Sequence, residues 1–180
     1  MALLLIGKKL IDCYKALAPE GDHEAMVKAH HEMQQTPEMY QLIVAYDGLR
    51  EALDELHKVG LETAIQTNRG RDSLVPIFEH IGISDVFDTI LTHEDVTEPK
   101  PNPEGIRIIA ERLNIKPEEM IMVGDTAIDV LTATNAGMAG AVGVLHGFGT
   151  EQELRIAGAK EIVAGLGEVP KALRSMSYGS

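Results

Sequence analysis

The chain holds a single cysteine, Cys13, in 180 residues. An internal disulfide is therefore excluded, and the composition suits a reducing, cytoplasmic compartment. Basic residues are scarce: 16 Lys and Arg against 28 Asp and Glu leave a formal charge of −12, which opposes non-specific attraction to nucleic acid or an anionic membrane surface. Long apolar runs are missing too. The run Ala2-Leu3-Leu4-Leu5-Ile6 stops at Gly7 and Lys8-Lys9, too short for a membrane span or a secretory core. It reads as a strand or the start of a helix. The glycine-rich stretch 137–149 lacks a phosphate-loop lysine signature, which argues against a nucleoside triphosphatase. His23, His30 and His31 offer no i, i+4 pair to bring two imidazoles to one ion, so they read as a polar helix surface. Internal repeats and low-complexity segments are absent.

What is present is a β-α alternation from about residue 48 onward. Leu49, Ala52, Leu53 and Leu56 form one stripe over 48–58, with Gly60 as a stop. A strand follows at 61–66, a helix at 72–80, a strand at 88–91 and a helix at 103–113 with Pro103 in its first turn. Further strands are expected at 121–123, 141–144 and 161–163, and helices at 127–135 (ending at Gly137) and 151–157. Such alternation predicts an α/β fold with a parallel sheet flanked by helices. The first 47 residues differ: 9–17 and 22–35 read as two helices separated by Ala18-Pro19-Glu20-Gly21. This is a helical appendage to a core over 48–180. Met26, Met33 and Met39 are expected to pack its helices.

Three strand ends carry polar groups that should meet at one edge of the sheet: Gln66-Thr67-Asn68-Arg69-Gly70, Glu98-Pro99-Lys100-Pro101-Asn102-Pro103, and Gly124-Asp125-Thr126-Ala127-Ile128-Asp129. A hydroxyl, an ammonium and two carboxylates together suit a phosphate with a divalent metal. Each has a plainer reading. Asp125 can cap a helix whose first turn Asp129 continues, Lys100 can be a solvated lysine in a turn, and Thr67-Asn68 can cap the following helix.

Order and spacing add to these residues. Thr67-Asn68 after a strand, Lys100 in "EPKPNPEG" and then "MVGDTAID" resemble motifs two, three and four of the haloacid dehalogenase-like (HAD) hydrolase superfamily, in particular its phosphoglycolate phosphatase-like branch. "APEGDHEAMVKAH" resembles part of a helical cap, "YDGLREALDELHKVGLE" the return to the core, and "GVLHGFGTEQELRIAGAKEIV" its final strand and helix. The resemblance implies a Rossmann-like core with a reduced N-terminal cap over 1–47, and a Mg²⁺-dependent phosphatase acting on a small phosphorylated metabolite. On this footing Thr67, with Asn68, binds the phosphoryl group, Lys100 holds phosphate and nucleophile together, Asp125 binds metal and Asp129 supports it.

The family's first motif, Asp-x-Asp after an apolar strand, occurs nowhere in the chain. Either Ala2–Ile6 is the central strand, with Leu5 and Gly7 at the two aspartate positions, or 5–22 is an inner cap helix and the first motif is not part of this sequence. Asp47, in Tyr46-Asp47-Gly48, is a substitute nucleophile in one reading and a turn residue in the other. Tyr40 and Tyr46 read as packing residues near this junction, and His146 in "LHGFG" as a rim residue. Three functions follow: an active phosphatase, a binding protein that keeps the phosphate and metal site, or a member whose open sheet edges pair in a homodimer.

Overall fold

The computed structural model describes residues 10–34 and 36–177. The run Ala2–Ile6, Lys9 and Gln35 lie outside the described residues.

The appendage is α1 (Leu10–Leu17), α2 (His23–Gln34) and a short α3 (Pro37–Gln41). Asp22 accepts the Ala25 N–H at 3.1 Å, which caps the start of α2 as a short acceptor side chain should. Tyr14 Oη lies 3.0 Å from His30 Nδ1, so this histidine ties α1 to α2. Met33 is 53% exposed, contrary to the packing expected of it.

The core begins at α4 (Leu49–Lys58) and continues as β1 (Ala64–Gln66), α5 (Arg71–Ile81), β2 (Thr89–Leu91), α6 (Glu104–Leu113), β3 (Ile121–Gly124), α7 (Ala127–Ala136), β4 (Gly140–Val144), α8 (Glu151–Ala157), β5 (Glu161–Val163) and α9 (Val169–Ser177). The strand expected from residue 61 starts three residues later. Gly60 adopts φ 81° and Leu61 N–H bonds back to Leu56 O at 3.1 Å, so Leu61 belongs to the helix stop rather than to the strand. Pro103 is the residue before α6 rather than its first member. Neither α3 nor α9 was expected; α9 covers β4 and β5 through Val169 and Ala172.

Among the described residues the strands form two separate parallel sets. β1 and β2 pair in parallel, and β3, β4 and β5 form a second parallel set in that order. One face of the first pair carries α6, which also packs against α7 on the face of the second set. On the other side α4 packs on α9. Three apolar clusters fill the spaces, one around Leu74, Ile77 and Phe78 on the first pair and two on the second set. β1, β2 and β3 lead at their carboxyl ends into the loops that carry the three polar motifs, as α/β sheets do at their binding edge.

Candidate functional site

The loop before α6 is fixed at both ends. Asn102 Oδ1 accepts the Glu104 N–H at 2.9 Å. The Glu104 carboxylate accepts the N–H groups of Thr97 and Glu98 at 2.8–3.1 Å, and these backbone donors hold its carboxyl below the usual range. Asn135 Nδ2, on α7, donates to Pro101 O at 2.9 Å. Lys100 therefore projects from a restrained turn, and its peptide bond to Pro101 is cis.

Lys100 Nζ lies 2.6 Å from Asp129 Oδ1, with 15% and 9% of the two side chains exposed. A charge pair this shielded from water interacts far more strongly than a surface pair. The other oxygen, Asp129 Oδ2, accepts from Thr126 N–H at 3.1 Å and from Thr126 Oγ1 at 2.7 Å. Thr126 thus caps α7, and Asp129 closes the capping box. This assigns the cap to Thr126, where the plainer expectation had given it to Asp125. Gly124 is required here, because a Cβ would meet the Asp129 carboxylate at 2.6–2.8 Å.

Asp125 stands at the end of β3, half-buried. Its Oδ2 accepts the Phe148 N–H at 2.9 Å, and its carbonyl accepts the Gly149 N–H at 2.8 Å. Gly147 has no room for a side chain, since a Cβ there would run into the Asp125 carboxylate. The loop after β4 is therefore wrapped around Asp125. That loop also carries His146, whose ring stacks on Tyr46 with centroids 3.8 Å apart.

Thr67 and Asn68 sit at the end of β1. Thr67 N–H is spent on Leu91 O at 3.0 Å, and Thr67 Oγ1 accepts the Arg69 N–H at 3.1 Å. The expectation that either residue caps the next helix is not met: α5 starts after Gly70, and its Arg71 N–H is taken by Glu94 at 3.1 Å. Beside them Arg69 Nη1 donates to Gln34 Oε1 of α2 at 3.4 Å, which brings the appendage over this edge. The chain thus joins Lys100 to Asp129, places Asp125 directly after β3 with Phe148 as its partner, and leaves Thr67 and Asn68 at the end of β1.

Asp47 lies in a turn in which Leu49 N–H reaches Tyr46 O at 3.2 Å, with Gly48 at φ 78° against Gly167. The turn role, rather than the nucleophile role, is the one it fills. His23 Nε2 is 2.9 Å from Ala18 O, His30 pairs with Tyr14, and Tyr40 packs on the β1–β2 cluster. Among the described residues no group of three or more His, Cys, Asp or Glu comes together to hold a metal. Asp129 has both oxygens engaged, while Asp125 Oδ1 takes no hydrogen bond from a described residue. A shallow cavity of about 400 Å³ at the opposite, amino-terminal edge is lined by Glu62, Asp85 and Asp88; its acidic lining repels a phosphate.

A parallel α/β layer with a lysine–aspartate pair and a second aspartate at its carboxyl edge defines the class of phosphoryl-handling α/β proteins. Residues 2–142 match the haloacid dehalogenase-like hydrolase family, and the chain belongs to that family. It is 35% identical over 147 residues to the pyrophosphatase PpaX of Halalkalibacterium halodurans, covering 78% of this chain and 65% of that protein. It is 34% identical over 149 residues to the phosphoglycolate phosphatase of Vibrio vulnificus, covering 81% and 64%. The chain therefore spans slightly less than two thirds of the length of these curated relatives. Among solved structures, a hydrolase from Pseudomonas syringae superposes with TM-score 0.82 at 25% identity, over 96% of this chain and 81% of the other. A predicted phosphatase from Clostridium acetobutylicum gives 0.80 at 26%, over 96% and 80%. These relatives place the chain in the phosphoglycolate phosphatase-like branch. No helix among the described residues is long and apolar enough to cross a membrane.

Proposed function

We propose that this chain carries a phosphatase-type site that binds Mg²⁺ together with a small phosphorylated metabolite, in the cytoplasm. The observation that carries the reading is the shielded Lys100–Asp129 pair. Asp125 would hold the Mg²⁺ through one oxygen, with Asp129 behind it. The bound ion would supply charge to oppose phosphate oxygens. Lys100 adds a fixed ammonium, Thr67 a hydroxyl that still has its proton to donate, and Asn68 an amide. Helices α1–α3 would act as a partial cap over this edge, anchored by the Gln34–Arg69 contact.

A second reading is binding without turnover, since the described residues bring together no group of three or more His, Cys, Asp or Glu. Covalent hydrolysis in this family needs a carboxylate to attack phosphorus and another to move the proton, and the described cluster contains neither role. Phosphate release from an aryl phosphate with Mg²⁺, by the chain and by Asp125→Asn in parallel, separates the two. Release by the parent alone establishes an active hydrolase. Equal, background release with Mg²⁺-dependent phosphate binding establishes the second reading. Release that is equal and well above background, or absence of binding, overturns the site.

A further inference from the structure

Among the described residues Arg69 is the one arginine that is not exposed. Exposed arginines have acids to pair with: Arg71 and Arg112 share Asp95, Arg155 bonds Glu151 and Arg174 bonds Glu55. Half-buried Arg69 makes its described side-chain contact with a neutral acceptor, Gln34 Oε1, 3.4 Å from Nη1. The residues outside the described ones include no Asp or Glu. A guanidinium is a rigid fork of N–H donors, and shielding from water makes its charge costly when no anion answers it.

The surroundings do not answer it. Carboxylates of the adjoining loop are spent elsewhere, Glu94 on the Arg71 N–H at 3.1 Å and Asp95 on Thr92 and the Arg71 side chain at 2.8 Å. From α2 the facing group is another base. His30 has its pKa lowered by burial first, then by the charges of His31 and Arg69. Burial likewise pulls the Arg69 guanidinium below the ordinary arginine range, with Tyr40 opposing that shift.

The backbone fixes where this cation stands. Arg69 N–H donates to Thr67 Oγ1 at 3.1 Å, and Arg69 O accepts the His93 N–H at 3.2 Å. The side chain thus starts just past Thr67, at the carboxyl end of β1, and extends to the last residue of α2. The Lys100 loop leads to the same strand end. Helix α6, which follows that loop, packs on β1, and a Cβ on its Gly105 would collide with the Gln66 side chain.

We propose that Arg69 is a specificity-determining residue whose guanidinium binds a second oxyanion, a carboxylate or a phosphate, of a small metabolite whose phosphoryl group lies at Thr67 and Lys100; this rests on the phosphatase-type site proposed above. A guanidinium fork matches either oxyanion with two parallel hydrogen bonds. Binding breaks no existing ion pair of Arg69 among the described residues, and the neutral contact to Gln34 is long and cheap to exchange. The site therefore prefers doubly anionic substrates, with the second charge on the side that faces α2.

Titration calorimetry of the full chain in millimolar Mg²⁺, with three non-hydrolysable probes, tests this. Methylphosphonate carries one anionic group, phosphonoacetate adds a carboxylate, and methylenediphosphonate adds a second phosphonate. The parent should bind one of the two larger probes about tenfold or more tighter than methylphosphonate, and the tighter of them identifies the second group. Arg69→Gln should abolish most of that preference while binding methylphosphonate as the parent does. Gln34→Ala, which removes the neutral contact and keeps the charge, should retain the preference. A preference unchanged in Arg69→Gln overturns the inference, because the second group then binds elsewhere. One lost equally in Gln34→Ala also overturns it, because Arg69 then serves as a tether to α2. Methylphosphonate binding with no preference in the parent overturns this inference alone, whereas no methylphosphonate binding overturns the phosphatase-type site and this inference with it. Should Arg69→Gln not fold, the Arg69 Nε–H signal of the parent decides by NMR: a shift with the preferred probe and none with methylphosphonate supports the contact, and no shift with either overturns it.

Discussion

Lys100 and Asp129 are 29 residues apart in sequence and bonded at 2.6 Å, so the proline-rich loop and the first turn of α7 are held by one shielded charge pair. The same carboxylate completes the helix cap through Thr126. Removing it strands a lysine that is 15% exposed. Asp129→Ala should therefore destabilise the chain by about 3 kcal/mol or more, since a partnerless shielded charge adds to the lost cap. Denaturant unfolding checks this, and Lys100→Met in the Asp129→Ala background should recover part of the loss.

Asp95 contributes to stability in acid. Its carboxyl is pulled from 3.8 down to about 2, first by the Thr92 backbone N–H and then by the Thr92 hydroxyl and Arg71. A depressed carboxyl contributes stability that is full above the unfolded value and is lost as pH falls toward the folded one. The loss should run from about pH 5 to about pH 2 and amount to roughly 2 kcal/mol. Thr92→Ala should shrink that acid-dependent part, measured as unfolding midpoints across this pH range.

His30 should make the appendage pH-sensitive nearer neutrality. Burial first, then the charges of His31 and Arg69, lower its pKa from 6.5. The folded state prefers the neutral ring, so α1 and α2 are most stable above about pH 6.5 and loosen as pH falls below it. Amide protection factors in 10–34, which correct for the intrinsic pH dependence of exchange, should fall on acidification. His30→Gln should remove most of that dependence.

The stack of Tyr46 on His146 links the junction at 42–48 to the loop that grips Asp125. Tyr46→Ala should cost about 1 kcal/mol of stability and weaken Mg²⁺ binding severalfold, whereas Tyr46→Phe, which keeps the ring, should bind like the parent. Gly147→Ala should weaken Mg²⁺ binding further, because its Cβ displaces the Asp125 carboxylate. Titration calorimetry with Mg²⁺ reads all three.

Much of this architecture is legible in the sequence where the cause is local. The stripe Leu49, Ala52, Leu53 and Leu56 forms α4, and Gly137 closes α7 in the left-handed region at φ 71°. The helix at Glu151–Ala157 and the strand at Glu161–Val163 lie where their patterns put them. The spacing of Val169, Ala172, Leu173 and Met176 carries a helical signal as clear as that of α4, and a reading that stopped at β5 missed it. Other features depend on partners distant in sequence. The Gln34–Arg69 bridge and the Tyr46–His146 stack arise from chain segments that meet only on folding. Lys100, Asp125 and Asp129 were legible as candidates, while the pairing of Lys100 with Asp129 was not, because that carboxylate had been assigned only to metal support or to a helix turn.

The most direct test of the proposed site is thermal unfolding of the parent chain and Asp125→Asn with and without millimolar Mg²⁺ plus inorganic phosphate. Binding to the folded state raises the midpoint, by a stabilisation that grows as RT ln(1 + [L]/Kd). A rise of several degrees in the parent that is lost in Asp125→Asn is the predicted result. An equal rise in both proteins, or none in the parent, would contradict a cation and phosphate site built on Asp125.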